Sequence, residues 1–369
     1  MYDVFVYNDN EKIHINGERI DAGISGTFTE EKNAIPSFEF DILKNNPGFN
    51  KLNEYITRAK IFDKEKCVFN GRVILVNPSY DSSGTSSKKV TCEGVLGYLN
   101  DTFAYPYIET LSQTDITILN AVKYLIDYHN NQVGKNSRKY VEFNPTYECE
   151  ADMDKVEVDA DSTTFTALTQ EAFTDEFDIQ LLEKNDKLVL ELYREKSGDF
   201  GLSLDVNMQS VSINPTFELC TRVIPVTSEG YGMGEHGASM EATDYYVEDS
   251  EAIKRYGVIT KVHKFENVKK ISKLKSKAQK WLAKNSKIKR SVSVTGLDLY
   301  DLGITPNQFE IGQKYTIRCD DLNLNEQFEL RKITRDINET WNAQLEFGEK
   351  NFSVKRYIKA NKIRKGINL

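Results

Sequence analysis

Apolar and polar residues alternate with a period of two along much of this chain, the signature of half-buried strands. Met1 to Tyr7 alternates, Asn8 to Lys12 is a polar turn, and Ile13-His14-Ile15 followed by Asn16-Gly17 is a hairpin signal. Ser37 to Ile42 alternates cleanly, with Phe38, Phe40 and Ile42 on one face. Asn45-Asn46-Pro47-Gly48 breaks the pattern, and Tyr55 to Phe62 resumes it. The stretch Ile61 to Asp101 then predicts three strands and two turns. Val68 to Val76 is rich in β-formers, Asp81 to Ser87 is a Ser/Gly turn, and Lys89 to Leu99 resumes as strand. There Val90 and Cys92 face one way, Thr91 and Glu93 the other. Six or more strands with little helix predict a small antiparallel barrel or sandwich.

From Tyr105 the period changes. Ile118, Val122, Leu125 and His129 fall at helical spacing, with Ser112 or Thr114 as cap. Gly134 to Arg138 is a basic, flexible turn. A second helix, capped by Asp161 or Ser162, places Phe165, Leu168 and Ala172 on one face. Asp178 to Glu183 and Lys187 to Tyr193 form a hairpin around Asn185-Asp186, with Leu188, Leu190 and Leu192 pointing together. This α+β unit ends near Ser197-Gly198. Strands return at Leu202 to Ile213, Thr221 to Val226, Ile288 to Thr295, Lys314 to Cys319, Gln327 to Ile333 and Trp341 to Phe347. In the last, Trp341, Ala343, Leu345 and Phe347 share a face. Between them, Val268, Ile271, Leu274, Ala278 and Trp281 make the apolar stripe of a helix whose other faces carry Lys269, Lys270, Lys273, Lys275, Lys277, Lys280 and Lys284. A solvated face is the simpler explanation of these lysines; contact with phosphates or with an acidic neighbouring subunit is the functional one.

Composition narrows the classes. Hydrophobic residues are 39% and charged residues 28% of 369, as in a globular protein. No apolar run approaches the roughly 20 residues of a bilayer span. The first twelve residues lack a basic n-region and an apolar h-region, so no signal peptide is expected. Cys67, Cys92, Cys149, Cys220 and Cys319 are odd in number and never form CxxC, which argues for reduced, mostly buried thiols rather than disulfides or zinc. A net charge of -8 argues against general nucleic-acid binding on the outside.

No catalytic constellation emerges. His14, His129, His236 and His263 belong to no HExxH and no His/carboxylate cluster. His129 has no partner at ligand spacing and is expected as a half-buried residue near its helix C-terminus. Cys149 sits among acids that would raise its thiol pKa, the wrong direction for a nucleophile paired with His129 or His236. Pairs such as Asp152 and Asp154 are common loop features. Gly230, Gly232, Gly234 and Gly237 contain a loose GxGxxG, but Ser239 to Val247 does not read as the helix a phosphate site needs; a mobile surface loop is expected. No catalytic, cofactor-binding or metal residue is assigned, and no cofactor is expected.

Several stretches, in order, resemble one family. PSFEFDILKNNPGFNKL (Pro36 to Leu52), FNGRVILV (Phe69 to Val76) and VTCEGVLGYLND (Val90 to Asp101) are similar to its first strands. TRVIPVTSEG (Thr221 to Gly230), DYYVEDSEAIKRYGVI (Asp244 to Ile259) and EIGQKYTIRC (Glu310 to Cys319) resemble its second half. The family is the prophage endopeptidase tail family, or tail-associated lysin N-terminal domains, which is phage baseplate-hub-like. The resemblance implies an α+β, β-rich chain with two tube-forming β-barrel-like domains and a peripheral α+β domain. The expected boundaries are 1–104 for the first barrel, 105–200 for the peripheral unit, 201–349 for the second barrel with its Lys-rich helix at 268–284, and 350–369 for a C-terminal connector.

It also implies a homotrimer whose six barrels form a pseudo-sixfold ring, joining a sixfold tube to a threefold tip. Implied partners are the distal tail or tube protein ring, the tape measure protein, and receptor-binding or tip proteins reached through the C-terminus. DNA would pass through the lumen without specific binding, so an acidic or neutral lumen is expected. The location implied is a virion tail tip, assembled in the host bacterial cytoplasm. Longer relatives carry wall-degrading modules; with about twenty residues after Lys350, no enzyme activity is expected here. A cell-wall peptidase in the α+β unit is the alternative. A carbohydrate-binding β module is a third class, and the match to hub strands counts against it.

Overall fold

A computed structural model describes residues 2–8, 11–17, 23–104, 116–143, 145, 152–153, 161–174, 176–194, 196–215, 219–227, 246–265, 268, 271–300, 303–304 and 308–348. The Gly230 to Gly237 loop, Cys149, His236 and the 350–369 connector lie outside these residues.

The first part of the chain is mostly strand, with one 3-10 turn at Phe49–Lys51: β1 (Asp3–Asn8), β2 (Glu11–His14), β3 (Ile24–Glu31), β4 (Ser37–Leu43), β5 (Arg58–Asp63), β6 (Lys66–Tyr80) and β7 (Ser86–Gly94). The alternation of β4 does what period two requires: Phe38, Phe40 and Ile42 are buried and the residues between them face out. They join Val4, Val6, Phe28, Ile61, Val73, Val90 and Cys92 in one core. The hairpin turn falls between Asn8 and Glu11, which pair, and not at Asn16-Gly17. Asn16 instead clamps the start of β1: its Oδ1 accepts from Val4 N–H at 2.7 Å and its amide donates to Tyr2 C=O at 2.6 Å. The strand expected over Lys89 to Leu99 stops at Gly94, and Val95–Asn100 is a 3-10 turn. The reason lies in its sequence: Val95, Leu96, Gly97, Tyr98 and Leu99 are all buried, with no polar face to alternate.

Those residues open the core of the peripheral unit. It contains β8 (Ile116–Thr117), the helix Ile118–Val133, β9 (Val141–Phe143), β10 (Asp152–Met153), two short helices (Thr164–Leu168 and Glu171–Thr174), β11 (Asp178–Lys184) and β12 (Lys187–Tyr193). The first helix is capped by Thr117, which accepts from Asn120 N–H. The second is capped by Thr163 rather than Asp161 or Ser162. The β11–β12 hairpin turns at Asn185 and Asp186, both at positive φ (50° and 61°), as a two-residue hairpin loop requires. Ser197-Gly198, near which the unit is expected to end, lies in the next strand, which begins at Lys196.

The remainder holds β13 (Lys196–Ser203), β14 (Met208–Pro215), β15 (Arg222–Thr227), β16 (Val247–Glu248), β17 (Thr260–Phe265), β18 (Arg290–Leu297), β19 (Gln313–Cys319), β20 (Leu324–Asp336) and β21 (Asn342–Gly348). Six of them wrap a second β core through Leu202, Met208, Val294, Ile317, Leu330 and Leu345. Trp341 precedes β21 and is 46% exposed, so the buried face is Ala343, Leu345 and Phe347 only. The lysine-rich helix Ile271–Asn285 packs on the separate sheet β16-β15-β17, with Cys220, Val223, Phe265, Leu274, Ala278 and Leu282 as a small core. A further helix, Ser250–Tyr256, is closed by Asp249, which accepts from Glu251 and Ala252 N–H, and by Gly257 at φ 79°.

The two β halves are one sheet. Its order runs β14-β18-β21-β20-β3-β4-β7-β6-β5-β1-β2. β20 joins them: Lys332 to Asp336 pair antiparallel with Glu31 to Thr27 of β3. Just beyond β20, Ile337 is wholly buried in the first core, donates to Gly26 C=O and accepts from Tyr2 N–H.

Among the described glycines, Gly71 in the FNGR stretch leaves the least room for a side chain. A Cβ there would lie 2.2 Å from Glu93 O and 2.8 Å from the Phe69 ring. Gly71→Ala is expected to cost about 1–3 kcal/mol in thermal unfolding. Gly201→Ala, whose Cβ meets nothing nearer than 3.9 Å, is the control, expected within about 0.5 kcal/mol of wild type.

Candidate functional site

Two clusters of charged side chains lie at the junctions between the parts of the fold. Arg72 of β6 is 3% exposed. Its guanidinium donates to Glu93 Oε1 from Nε (2.8 Å) and Nη2 (2.6 Å), and to Asp101 from Nη1 (2.6 Å) and Nη2 (2.8 Å). The rings of Tyr55 and Tyr98 lie 5.2 and 5.0 Å from its centre. Asp101 also accepts from Lys139 of the peripheral unit at 2.7 Å. The sheet and the peripheral unit are therefore riveted through one buried cation. Burial alone would lower the Arg72 pKa; its two carboxylates more than reverse that. Burial would raise the Asp101 pKa, and Arg72 and Lys139 overcome it, holding the carboxyl below its usual range.

A second junction sits at the end of β3. Lys32 pairs with Asp178 of β11 at 2.8 Å and with Glu329 of β20. Asn33, at φ 53°, donates to Asp178 Oδ1 (2.7 Å) and accepts from Ile179 N–H (2.9 Å). One turn thus touches all three bodies. Between them runs a cleft of about 980 Å³, lined in part by Phe28, Glu30, Asp63, Gln180, Tyr300 and Arg335. Several of its polar groups are paired: Gln308 with Asp63, Lys196 with Glu310, Arg335 with Glu30 at 2.9 Å and with Phe309 C=O at 2.7 Å. Such an arrangement holds parts in register.

The sequence candidates for chemistry fall elsewhere and apart. His129 is fully buried, more than its position near the helix end suggests. Its Nε2 lies 2.8 Å from Lys139 C=O, which can only accept, so Nε2 carries the proton and Nδ1 accepts from the Thr102 hydroxyl at 2.7 Å. Burial lowers its pKa, favouring this neutral form. His14 stacks on Phe5, and His263 on Trp281. Cys92, Cys220 and Cys319 are buried and Cys67 is exposed, all four free. Among the described residues no three His, Cys, Asp or Glu side chains are grouped to hold a metal ion. The Arg72 cluster was not anticipated. Its signal was present: one Arg in FNGR and two acids in CEGVLGYLND, on strands expected to be adjacent.

Arg72→Met leaves Glu93 and Asp101 without their shared cation and is expected to cost about 3–5 kcal/mol in denaturant unfolding at pH 7. Because the folded pKa of Asp101 is depressed, its contribution is present above the unfolded value of about 3.9 and is lost as pH falls through the folded one. Asp101→Asn is therefore expected to destabilise at pH 7 by about 1–3 kcal/mol, with the gap to wild type closing as pH falls below the unfolded value and through the depressed folded one.

Comparison with known proteins gives a partial family match and a shared fold. Residues 195–358 match the family described as prophage endopeptidase tail. No curated protein matches the sequence. The tail protein from Neisseria meningitidis MC58 is 14% identical, with a TM-score of 0.63 over 95% of this chain and 97% of that one. Prophage tail protein gp18 from Listeria monocytogenes EGD-e is 13% identical, with a TM-score of 0.60 over 99% and 100%. The 43 kDa tail protein of prophage MuSo2 from Shewanella oneidensis is 13% identical, with a TM-score of 0.62 over 94% and 97%. Fold and sequence agree: over residues 195–358 the chain carries the pattern of the prophage endopeptidase tail family, on a fold shared with phage tail proteins.

Proposed function

We propose that this chain is a structural component of a phage tail or tail-like particle, the hub at its distal tip. Three copies form a ring that continues the tail tube, joins sixfold tube to threefold tip and opens for DNA. In this proposal, residues 1–104 and 201–349 supply the tube wall, 105–200 stands outside it, and 350–369 leads toward tip or receptor-binding proteins. The distal tail protein ring and the tape measure protein are its neighbours, and no cofactor is needed.

One observation carries the proposal: two strand-rich halves fused edge to edge by β3 and β20, in a fold shared with tail proteins along nearly the whole chain. A joined double module of this kind suits a wall segment, since two strand-rich halves in three copies give six wall positions. The charged residues at the junctions are paired with each other and serve cohesion. The family's description contains the word endopeptidase, so the proposed absence of activity needs its own test.

Size-exclusion chromatography with light scattering at micromolar concentration is expected to give the mass of three 42.2 kDa chains. Monomer alone would count heavily against the ring. In a peptidoglycan zymogram the purified chain is expected to leave no clearing; clearing would overturn the non-enzymatic reading.

A further inference from the structure

The lysine-rich helix Ile271–Asn285 is left unexplained by the tube wall. Its apolar side is settled: Leu274, Ala278 and Leu282 are buried against β15 and β17, and Trp281 stacks on His263 at 4.4 Å. The outward side is ordered too. Lys273, Lys277, Lys280 and Lys284 recur at i, i+4, i+7 and i+11, which places them in one stripe about 16 Å long. Ser276, Gln279 and Ala283 fill the neighbouring exposed positions.

Solvated helix faces ordinarily mix signs, because i,i+4 pairs of opposite charge stabilise the helix and like pairs weaken it. This one does not mix them. Residues 261–290 contain twelve Lys or Arg and a single acid, Glu266. That is a net +11 in a chain of -8, so the rest of the chain carries -19. Lys273, Lys277 and Lys284 also interact within the chain, so the argument rests on the density and sign of charge and not on any lysine lacking a partner. The helix dipole accounts for Lys284 in the last turn but not for lysines along the whole length.

We propose that this lysine stripe docks on the acidic surface of a second copy of this chain. Charge complementarity favours that occupant over nucleic acid: a strongly acidic remainder repels a duplex from every other direction, while it is what a neighbouring copy presents. A basic segment on one copy meeting the acidic remainder of another joins two unlike surfaces, so the contact is heterologous and propagates into a ring or filament. The proposal rests on the assembly reading above and assigns it a contact.

The test is sedimentation velocity of the full chain in 50 and 500 mM NaCl. Screening should weaken wild-type assembly at high salt. Lys277→Gln, Lys280→Gln and Lys284→Gln combined should raise the dissociation constant at least tenfold at 50 mM, while the triple Arg variant assembles like wild type. Circular dichroism melting controls for folding, since the substituted positions avoid the buried stripe. Assembly unchanged in the triple Gln variant would overturn the proposal and leave the hub reading standing. A wild type that is monomeric at both salts would overturn both. Lysine-dependent binding of a 30-bp DNA duplex with unchanged self-assembly would overturn it in favour of nucleic acid.

Discussion

The pairing of β3 with β20 is the constraint on which the rest of the structure depends. It joins strands some three hundred residues apart in sequence, Lys332 opposite Glu31 and Asp336 opposite Thr27. Without it the chain would be two β modules on a tether, and interfaces within a chain default to mobility unless large and apolar. With it, Ile337 is delivered into the first core and Lys32 is brought between Glu329 and Asp178. Breaking such a pairing strands backbone donors and acceptors as well as side-chain contacts, so the halves cannot separate piecemeal.

Arg72 does for the peripheral unit what β20 does for the second half. Its cost of burial is offset only because two carboxylates and two tyrosine rings close on it together. Remove one partner and the others become a liability. This interdependence explains why residues from the resemblance-bearing stretches FNGRVILV and VTCEGVLGYLND meet at one point. The stretches mark the junction between the first sheet strands and the peripheral unit.

Much of the fold was legible in the sequence. Period-two alternation located β4, β7 and β21, because each has one face in a core and one in solvent. Asn185-Asp186 located its hairpin, since few residue pairs adopt positive φ twice in succession. What was not legible had physical reasons. Val95 to Leu99 are buried without a break, so alternation carries no information there. Asn16 acts through its side chain on a neighbouring strand, which turn statistics do not see. The β3–β20 pairing and the Lys32 and Arg72 clusters join residues distant in sequence, and local patterns are silent about such contacts. The helix Ser250–Tyr256 was readable from Asp249 and Gly257, yet its short apolar pattern did not stand out.

Strands joined in one hydrogen-bonded sheet through β3 and β20 should lose protection together. Hydrogen exchange of the intact chain, resolved by peptide, measures this directly. The prediction is that amides of β3, β4 and β7 and those of β18, β20 and β21 exchange with one common opening free energy, shifted equally by Arg72→Met. If the 290–348 strands exchange through an opening several kcal/mol easier than the 24–94 strands, the halves are independent and the single-sheet account is wrong.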